Sequence, residues 1–332
     1  MHVVIVGAGP AGCAAALELR RRDIAVTLIS DGADAVGELL PPSARPFLDH
    51  LHLQPLENQL ECVGVRSAWH SDELSDQDFI YHPLGHGWLL DRGRFGRQLR
   101  QHAVAAGARL RQPERLERIA RHGAWRLGLS SGELRCDWVL DASGRRSIIA
   151  RMLGVRRRRF DGQAACVRWL KTHDDGDGDS TLTVERTGDG WWYTCRVADR
   201  RRVAVWLSPR PFVRAWDEQV CRTRHVRARL AAYQPNGSAV VRPADSSLLE
   251  QTAGAGWLAI GDAAVSYDPL ASRGIVSALA SGIEAATLVG AGDDQLAARH
   301  ARLEAAFHHY LRQRQQFYGA MRPGAESGAW DV

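Results

Sequence analysis

Six residues close to the N-terminus, Gly7-Ala8-Gly9-Pro10-Ala11-Gly12, constrain this chain more than any other stretch. They follow a short apolar, β-branched run at residues 3–6 and precede a segment, 13–22, in which Ala, Leu and Arg fall on different faces as in a helix. In such a strand-turn-helix Gly7 makes the tight turn, Gly9 lets the backbone approach a pyrophosphate, and Gly12 allows the helix to pack closely on the strand. Pro10 and Ala11 complete the loop, and the helix N-terminus offers free N–H groups and a positive dipole end to phosphates. The chain is therefore expected to be α/β and to open with a dinucleotide-binding unit.

The next strand, at 25–29, should end in an acid that holds the adenosine ribose hydroxyls. Ser30 stands in that place and Asp31 follows one residue late, so either Asp31 reaches round or Ser30 holds the ribose more weakly. Far along the chain, Gly261-Asp262-Ala263-Ala264 follows a buried strand at 256–260. Together with the glycine loop it suggests one bound FAD.

A chain of 332 residues suffices for one large domain or two ordinary ones. It has no apolar run of about 20 residues, so no spanning helix is expected. Met1 is followed at once by the first strand, which leaves no room for a signal peptide and makes a cytoplasmic location the expectation. The cysteines, Cys13, Cys62, Cys136, Cys166, Cys195 and Cys221, show no C-x-x-C and no metal-like spacing. That disfavours a disulfide-reductase site and a structural zinc, and each cysteine reads as a small buried hydrophobe. No metal is expected. Positive charge is almost wholly arginine, Lys171 being the sole lysine, and the run 156–159 reads as a solvated face. Neither a nucleic acid nor a membrane is an expected partner.

Residues 37–46 read as a loop, 67–90 as extended segments carrying His, Trp and Tyr, and 95–107 as a helix with Arg92 at its entrance. A strongly apolar strand at 138–140 runs into Asp141-Ala142-Ser143-Gly144. Between 163 and 208 the period changes to two, which argues for an antiparallel sheet with Gly188-Asp189-Gly190 as a hairpin turn. A helix at 213–233 should follow, and two more at 274–288 and 294–317, with a loose tail from Gly319. The expected organisation is a discontinuous cofactor domain (1–65, 90–160 and 250–290), a substrate domain (66–89 and 161–249) and a C-terminal helical segment (291–332).

With GAGPAG at Gly7, Asp91-Arg92, DASG at Asp141 and GDAAVSYDPLASRGI from Gly261 to Ile275, the chain resembles single-Rossmann FAD-dependent monooxygenases of the p-hydroxybenzoate hydroxylase fold. The resemblance implies a FAD-binding Rossmann-like domain with an inserted antiparallel-sheet substrate domain and C-terminal helices. It also implies that Asp262 binds the ribityl hydroxyls and that Pro269, Gly274 and Ile275 face the flavin pyrimidine ring. A helix starting at Gly274 would stabilise negative charge on a reduced flavin. GELLPPSARP and GHGWLLDRGRF look most like the branch of flavin-dependent halogenases and LodB-like maturation flavoproteins, which implies that Arg45 and Arg92 contact FAD phosphates or the ribityl chain. Halogenases use a lysine after the G-E-x-x-x-P segment and a W-x-W-x-I-P motif, and both are missing here. Leu89 and Gly96 also depart from the LodB-like pattern, which more often has His and Asp there.

The activity this implies is reduction of FAD by transiently bound NAD(P)H, reaction with oxygen, and hydroxylation of an electron-rich aromatic ring. The substrate is a small molecule or is protein-borne, such as a tryptophan of a partner protein during quinone-cofactor biogenesis. A flavin-dependent reductase of the geranylgeranyl reductase type is the main alternative, followed by a halogenase and by a non-catalytic FAD-loaded partner-binding protein. His82 and His86 lie in the segment that approaches the substrate in this fold, and Trp192 and Tyr193 lie on a strand with one face toward the flavin. These are the substrate-side candidates. No residue is assigned as catalytic base, and the oligomeric state is left open.

Overall fold

The computed structural model describes residues 1–32, 38–174, 176–188, 190–209 and 213–319. Its first strand, His2–Val6, runs between Trp138–Asp141 and Ala25–Ile29, parallel to both. Trp257–Ala259 and Arg109–Arg111 extend the sheet in parallel, and Ala253–Gly254 closes one edge antiparallel, giving six strands. Strands covered on both faces carry apolar residues continuously, and Val3, Val4 and Ile5 are fully buried.

One face takes α1 (Pro10–Arg21), α2 (Arg92–Ala105) and α3 (Gly274–Leu288). α1 and α3 approach so closely that a Cβ on Gly282 would lie 2.4 Å from the Ala11 carbonyl oxygen. The other face takes an antiparallel sheet of Leu116–His122, Ala124–Leu129 and Gly132–Cys136, whose Trp125 and Leu127 pack with Val4 and Val6. α2 begins earlier than expected because Asp91 is its N-cap, its side chain accepting from the Arg94 amide at 3.0 Å. A last helix, α4 (Asp293–Gly319), starts against the edge strand Ala253–Gly254 and ends with Phe317 and Tyr318 against Trp69.

Between these returns to the first sheet the chain builds a second one. Ala164–Lys171, Arg201–Ser208, Gly190–Val197 and Thr181–Thr187 are antiparallel neighbours, as the period of two predicts. The sheet is nevertheless mixed, because Thr181–Thr187 pairs in parallel with Gly64–Ala68, which in turn pairs antiparallel with Ser75–Asp78. Alternation gives the sheet two different faces. Val184, Trp191, Tyr193, Val205 and Leu207 lie on one, whereas Cys166, Trp192, Ala204 and Trp206 lie on the other, under Trp216 and Val226.

The helix expected at 213–233 is instead a short turn, Val213–Ala215, and two short helices, Trp216–Cys221 and His225–Leu230. The break has a cause in the sheet beneath. The buried Glu185 carboxylate accepts from the backbone amides of Arg224, His225 and Val226 at 2.5, 2.9 and 2.7 Å, so it captures a new helix N-terminus there. The hairpin turn expected at Gly188-Asp189-Gly190 includes a residue outside those described, as do Gly37 of the GELLPP segment and the tail at 320–332.

Candidate cofactor and substrate site

A single cavity of 1730 Å³ joins the two sheets, running from the glycine loop to the Trp191 face of the second sheet. The glycines at its start differ in what surrounds them. Gly7, at φ +115°, has no room for a side chain, since a Cβ would lie 2.1 Å from the Ala142 carbonyl oxygen. Gly12 has none either, at 1.9 Å from the Gly7 oxygen, whereas a Cβ on Gly9 would meet nothing within 4 Å. Gly7 and Gly12 thus serve the fold, and Gly9 keeps open the space that a ligand would enter. Gly9 is also the N-cap of α1 and no side chain caps this helix, which leaves its first amides facing the cavity lined by Pro10 and Ala11.

Ser30 and Asp31 both reach the cavity and a side lobe beside Arg115 and Arg146. Ser30 Oγ accepts from the Gly32 amide at 3.2 Å, and Arg146 donates to Asp31 at 2.5 Å. Asp141 of the DASG segment is fully buried and accepts from the Ser143 amide, its hydroxyl and the Ala150 amide at 3.1, 2.5 and 3.0 Å. It shapes the loop that abuts Gly7, and burial pushes its carboxyl above the usual range.

Asp262 opens into the cavity yet is enclosed by protein, and this desolvation raises its carboxyl while Arg145, at 3.6 Å, opposes the rise. Its loop is pinned by Arg157, which donates to Ser247 Oγ and Ser147 Oγ at 2.9 and 2.6 Å and to the Asp262 and Ala263 carbonyls at 2.8 and 2.6 Å. Burial lowers Arg157 to about 10. The arginine run is therefore not uniformly solvated: it is a strand, Arg157–Arg159, and alternation turns its first side chain inward. Gly274 and Ile275, at the uncapped N-terminus of α3, line the cavity, as does Pro269. The Pro269 loop is held by Asp268, which is 2% exposed and accepts from Leu270 N, Arg314 Nε and Tyr318 Oη at 2.9, 3.0 and 2.8 Å.

Arg92 lines the middle of the cavity, and its buried Nε and Nη1 have no hydrogen-bond partner among the described atoms. Burial lowers its guanidinium, with Glu38 and Asp262 nearby to offset this. Buried donors seek acceptors, and phosphate or ribityl oxygens are of the right kind. With open space at Gly9, bare amides at α1 and a carboxylate at Asp262, these residues fit FAD.

Four expected site residues lie elsewhere. Arg45 donates to the Leu84 carbonyl at 2.8 Å and stacks over Trp88 at 4.7 Å, away from the cavity lining. His82 accepts from the Leu84 amide at 3.1 Å, and His86 bonds the Gly87 carbonyl at 2.9 Å beside Trp88, so both serve the 82–88 turn and neither lines the cavity. Trp192 is fully buried on the opposite face, stacked with Trp206 at 5.9 Å and edge-on to Trp216 at 4.8 Å. Tyr193 does face the cavity, together with Trp191. Residues not singled out from sequence, Glu38, Trp69, Phe79 and Phe317, complete this wall. Tyr193 Oη donates to Glu38 Oε2 at 3.0 Å. Five cysteines are buried as expected and Cys221 is exposed.

A glycine-loop Rossmann sheet whose cofactor cradle opens onto a second, aromatic-faced sheet defines a FAD-dependent oxidoreductase. Residues 1–52 match the family described as pyridine nucleotide-disulphide oxidoreductase. Over 301 residues the chain is 26% identical to LodB of Marinomonas mediterranea, assigned as a FAD-dependent oxidoreductase, covering 84% of this chain and 81% of that one. It is 28% identical over 326 residues to menaquinone reductase of Mycobacterium tuberculosis, covering 88% and 77%. Among solved structures, CmlS, a flavin-dependent halogenase, superposes with a TM-score of 0.82 at 23% identity, covering 96% of this chain. The chain spans 64% of that halogenase's length. QhpG, a peptidyl tryptophan dihydroxylase essential for tryptophylquinone cofactor biogenesis, superposes at 0.78 with 25% identity, covering 96% of this chain and 75% of that one.

Proposed function

We propose that this chain is a FAD-dependent monooxygenase that hydroxylates an electron-rich aromatic ring, with a tryptophan side chain borne on a partner protein as the favoured substrate. The observation that carries the reading is the continuity of one cavity from the FAD cradle to a chamber faced by Trp69, Phe79, Trp191 and Tyr193. Among its lining residues Gln77, Arg242 and Phe317 are exposed, so the cavity reaches solvent, as a ring presented on a larger body requires. A small metabolite would call for closer enclosure.

Bound FAD supplies the redox and oxygen chemistry, with NAD(P)H as transient donor. The residues supply the rest. Amides at the start of α1 and the open Gly9 receive the pyrophosphate, with Ser30 or Asp31 at the ribose end. Arg92 and Asp262 provide a donor and an acceptor along the ribityl chain. The N-terminus of α3 favours negative charge beside Ile275. The apolar wall of Val184, Trp191, Val205 and Leu207 keeps water from the reacting ring.

The sole lysine, Lys171, is exposed and outside the cavity lining, which weighs against a halogenase that depends on a chamber lysine. A reductase is the second reading, favoured by the apolar chamber and the likeness to menaquinone reductase. One experiment separates them: NAD(P)H consumption under air by FAD-loaded protein, with and without a tryptophan-bearing partner protein encoded nearby, followed by intact mass. The monooxygenase reading expects stimulated turnover and a gain of one or two oxygens on the partner. Turnover without oxygen incorporation into any aromatic acceptor would overturn it in favour of the reductase.

A further inference from the structure

Charge along the cavity is unevenly distributed. Among the described residues nine arginines line it against five carboxylates. The pyrophosphate of bound FAD, with one negative charge on each phosphate, does not balance that surplus. Several of the arginines hold the protein together. Arg145 reaches Asp262 and Asp245 at 3.6 and 3.7 Å and donates to the Tyr267 carbonyl at 2.9 Å, and Arg146 holds Asp31. Arg151 and Arg156 have no such duty. Both are exposed, and neither guanidinium has a hydrogen-bond or ion-pair partner among the described residues. Arg159, with 71% of its side chain exposed, meets Asp245 at 3.8 Å, and exposed Arg242 donates to the adjacent Val241 carbonyl at 3.2 Å.

These four arginines form a rim with a direction. Arg151 ends a short helix, Ile148–Met152, that follows the Arg146 turn at the ribose end of the cradle, and Arg156 leads into the strand Arg157–Arg159. Asp245 lies between Arg145 and Arg159 and links that strand to Val240–Pro243, where Arg242 pairs with Ala165 of the chamber wall. Positive groups thus follow the cavity from the ribose end to the aromatic chamber. Guanidinium forks suit phosphate oxygens, which they bind through two parallel N–H donors. An elongated, phosphate-bearing ligand lying beside FAD, with one end in the chamber, matches this layout. Single exposed ion pairs are worth little, so the group that gains most from several cations at once is a phosphomonoester, with about −1.5 to −2 charge at pH 7.

We infer that Arg151, Arg156, Arg159 and Arg242 form a docking rim for the phosphates of the nicotinamide donor, and that this rim selects the dinucleotide carrying a 2′-phosphate, NADPH over NADH. The inference rests on the nicotinamide-donor reading above and deepens it. The rim is separate from the α1 amides, Arg92 and Asp262 that serve FAD.

The test uses NADP+ and NAD+, which differ by the 2′-phosphate alone, titrated into the FAD-loaded protein by calorimetry. Anaerobic bleaching of the flavin by NADPH and by NADH is followed alongside. The expected result is binding of NADP+ tighter by about tenfold or more, the order of one or two charge-assisted hydrogen bonds, with the preference shrinking as salt is raised. The double variant Arg151→Gln/Arg156→Gln should lose most of that preference while keeping its Tm and its affinity for FAD. Arg158→Gln, whose side chain lies outside the cavity lining beside Glu304 at 3.7 Å, should keep the preference. Equal binding of NADP+ and NAD+ by the wild-type protein would overturn the inference and leave the donor reading standing. A preference that persists in the double variant overturns the assignment to this rim, and a loss of FAD affinity there gives these arginines to FAD instead. If neither dinucleotide binds and neither reduced form bleaches the flavin, the inference falls together with the donor reading.

Discussion

Arg314→Met removes the cation that the last turns of α4 bring to the cavity-lining Pro269 loop. Arg314 is bonded to Asp268 at 3.0 Å and to Asp161 at 3.3 Å, with only 18% of its side chain exposed against 2% for Asp268. Screening by solvent is weak at such burial, and removing one partner of a buried pair costs about 3–5 kcal/mol. Asp268 would keep the Tyr318 hydroxyl and the Leu270 amide, which places the loss near the lower end, about 3 kcal/mol. For a chain of this size that corresponds to a fall in Tm of about 5 °C. The loss should depend on pH. Burial already raises the Asp268 carboxyl and Arg314 opposes the rise, so the variant's folded pKa climbs further above the unfolded value. A group raised in the folded state contributes stability below its unfolded pKa and loses it as pH rises through the folded one. The deficit should therefore narrow as the pH is lowered. Thermal unfolding followed by tryptophan fluorescence reads both effects, with Arg302→Met as control, since that exposed pair with Glu284 is worth below about 1 kcal/mol. A wild-type Tm in Arg314→Met, or a deficit that does not narrow in acid, would refute this account of the loop.

Arg92→Met should weaken FAD binding by about tenfold to a hundredfold in a fluorescence titration. The apoprotein should keep or raise its Tm, because two buried N–H donors without a hydrogen-bond partner have gone. Gly9→Ala should fold normally and bind FAD at least about tenfold more weakly, whereas Gly12→Ala should unfold at lower temperature, given open space at the first Cβ and a carbonyl 1.9 Å from the second. Tm and FAD titration on the two variants check the contrast. Glu185→Ala should cost about 2 kcal/mol and speed amide exchange at 224–226, where three backbone donors lose their acceptor.

Features fixed by the backbone were legible in the sequence. The glycine loop, the Asp141 and Gly261 segments and the span of α3 each depend on a residue type that the local geometry requires, so neighbouring residues were enough to place them. Alternation likewise predicted the strands around Trp191, Trp192 and Tyr193. It could not say which face would meet the cavity, because that sign is set by Trp206 and Trp216 packing from distant segments. The same limit hid the inward turn of Arg157, whose partners Ser247 and the Asp262 carbonyl lie 90 and 105 residues away. Glu185 interrupting a helix and Gly64–Ala68 pairing in parallel with Thr181–Thr187 are also long-range events. Glu38 has no local signature: an acid beside a short apolar run becomes a buried acceptor only when Tyr193 arrives.

α4 sets the order in which the site can be completed as the chain is made. The glycine loop is synthesised first, but the central strand His2–Val6 waits for Trp138–Asp141 to pair, and that strand waits for Trp257–Ala259. The loop at Pro269 then gains its hold only once Arg314 and Tyr318 have cleared the ribosome. A nascent chain halted before residue 314 would have both sheets but an unclamped cavity. Closure of the Pro269 loop is thus tied to the docking of the last turns of α4, and cleavage within those turns would release this cavity-lining loop while leaving most of the protein folded.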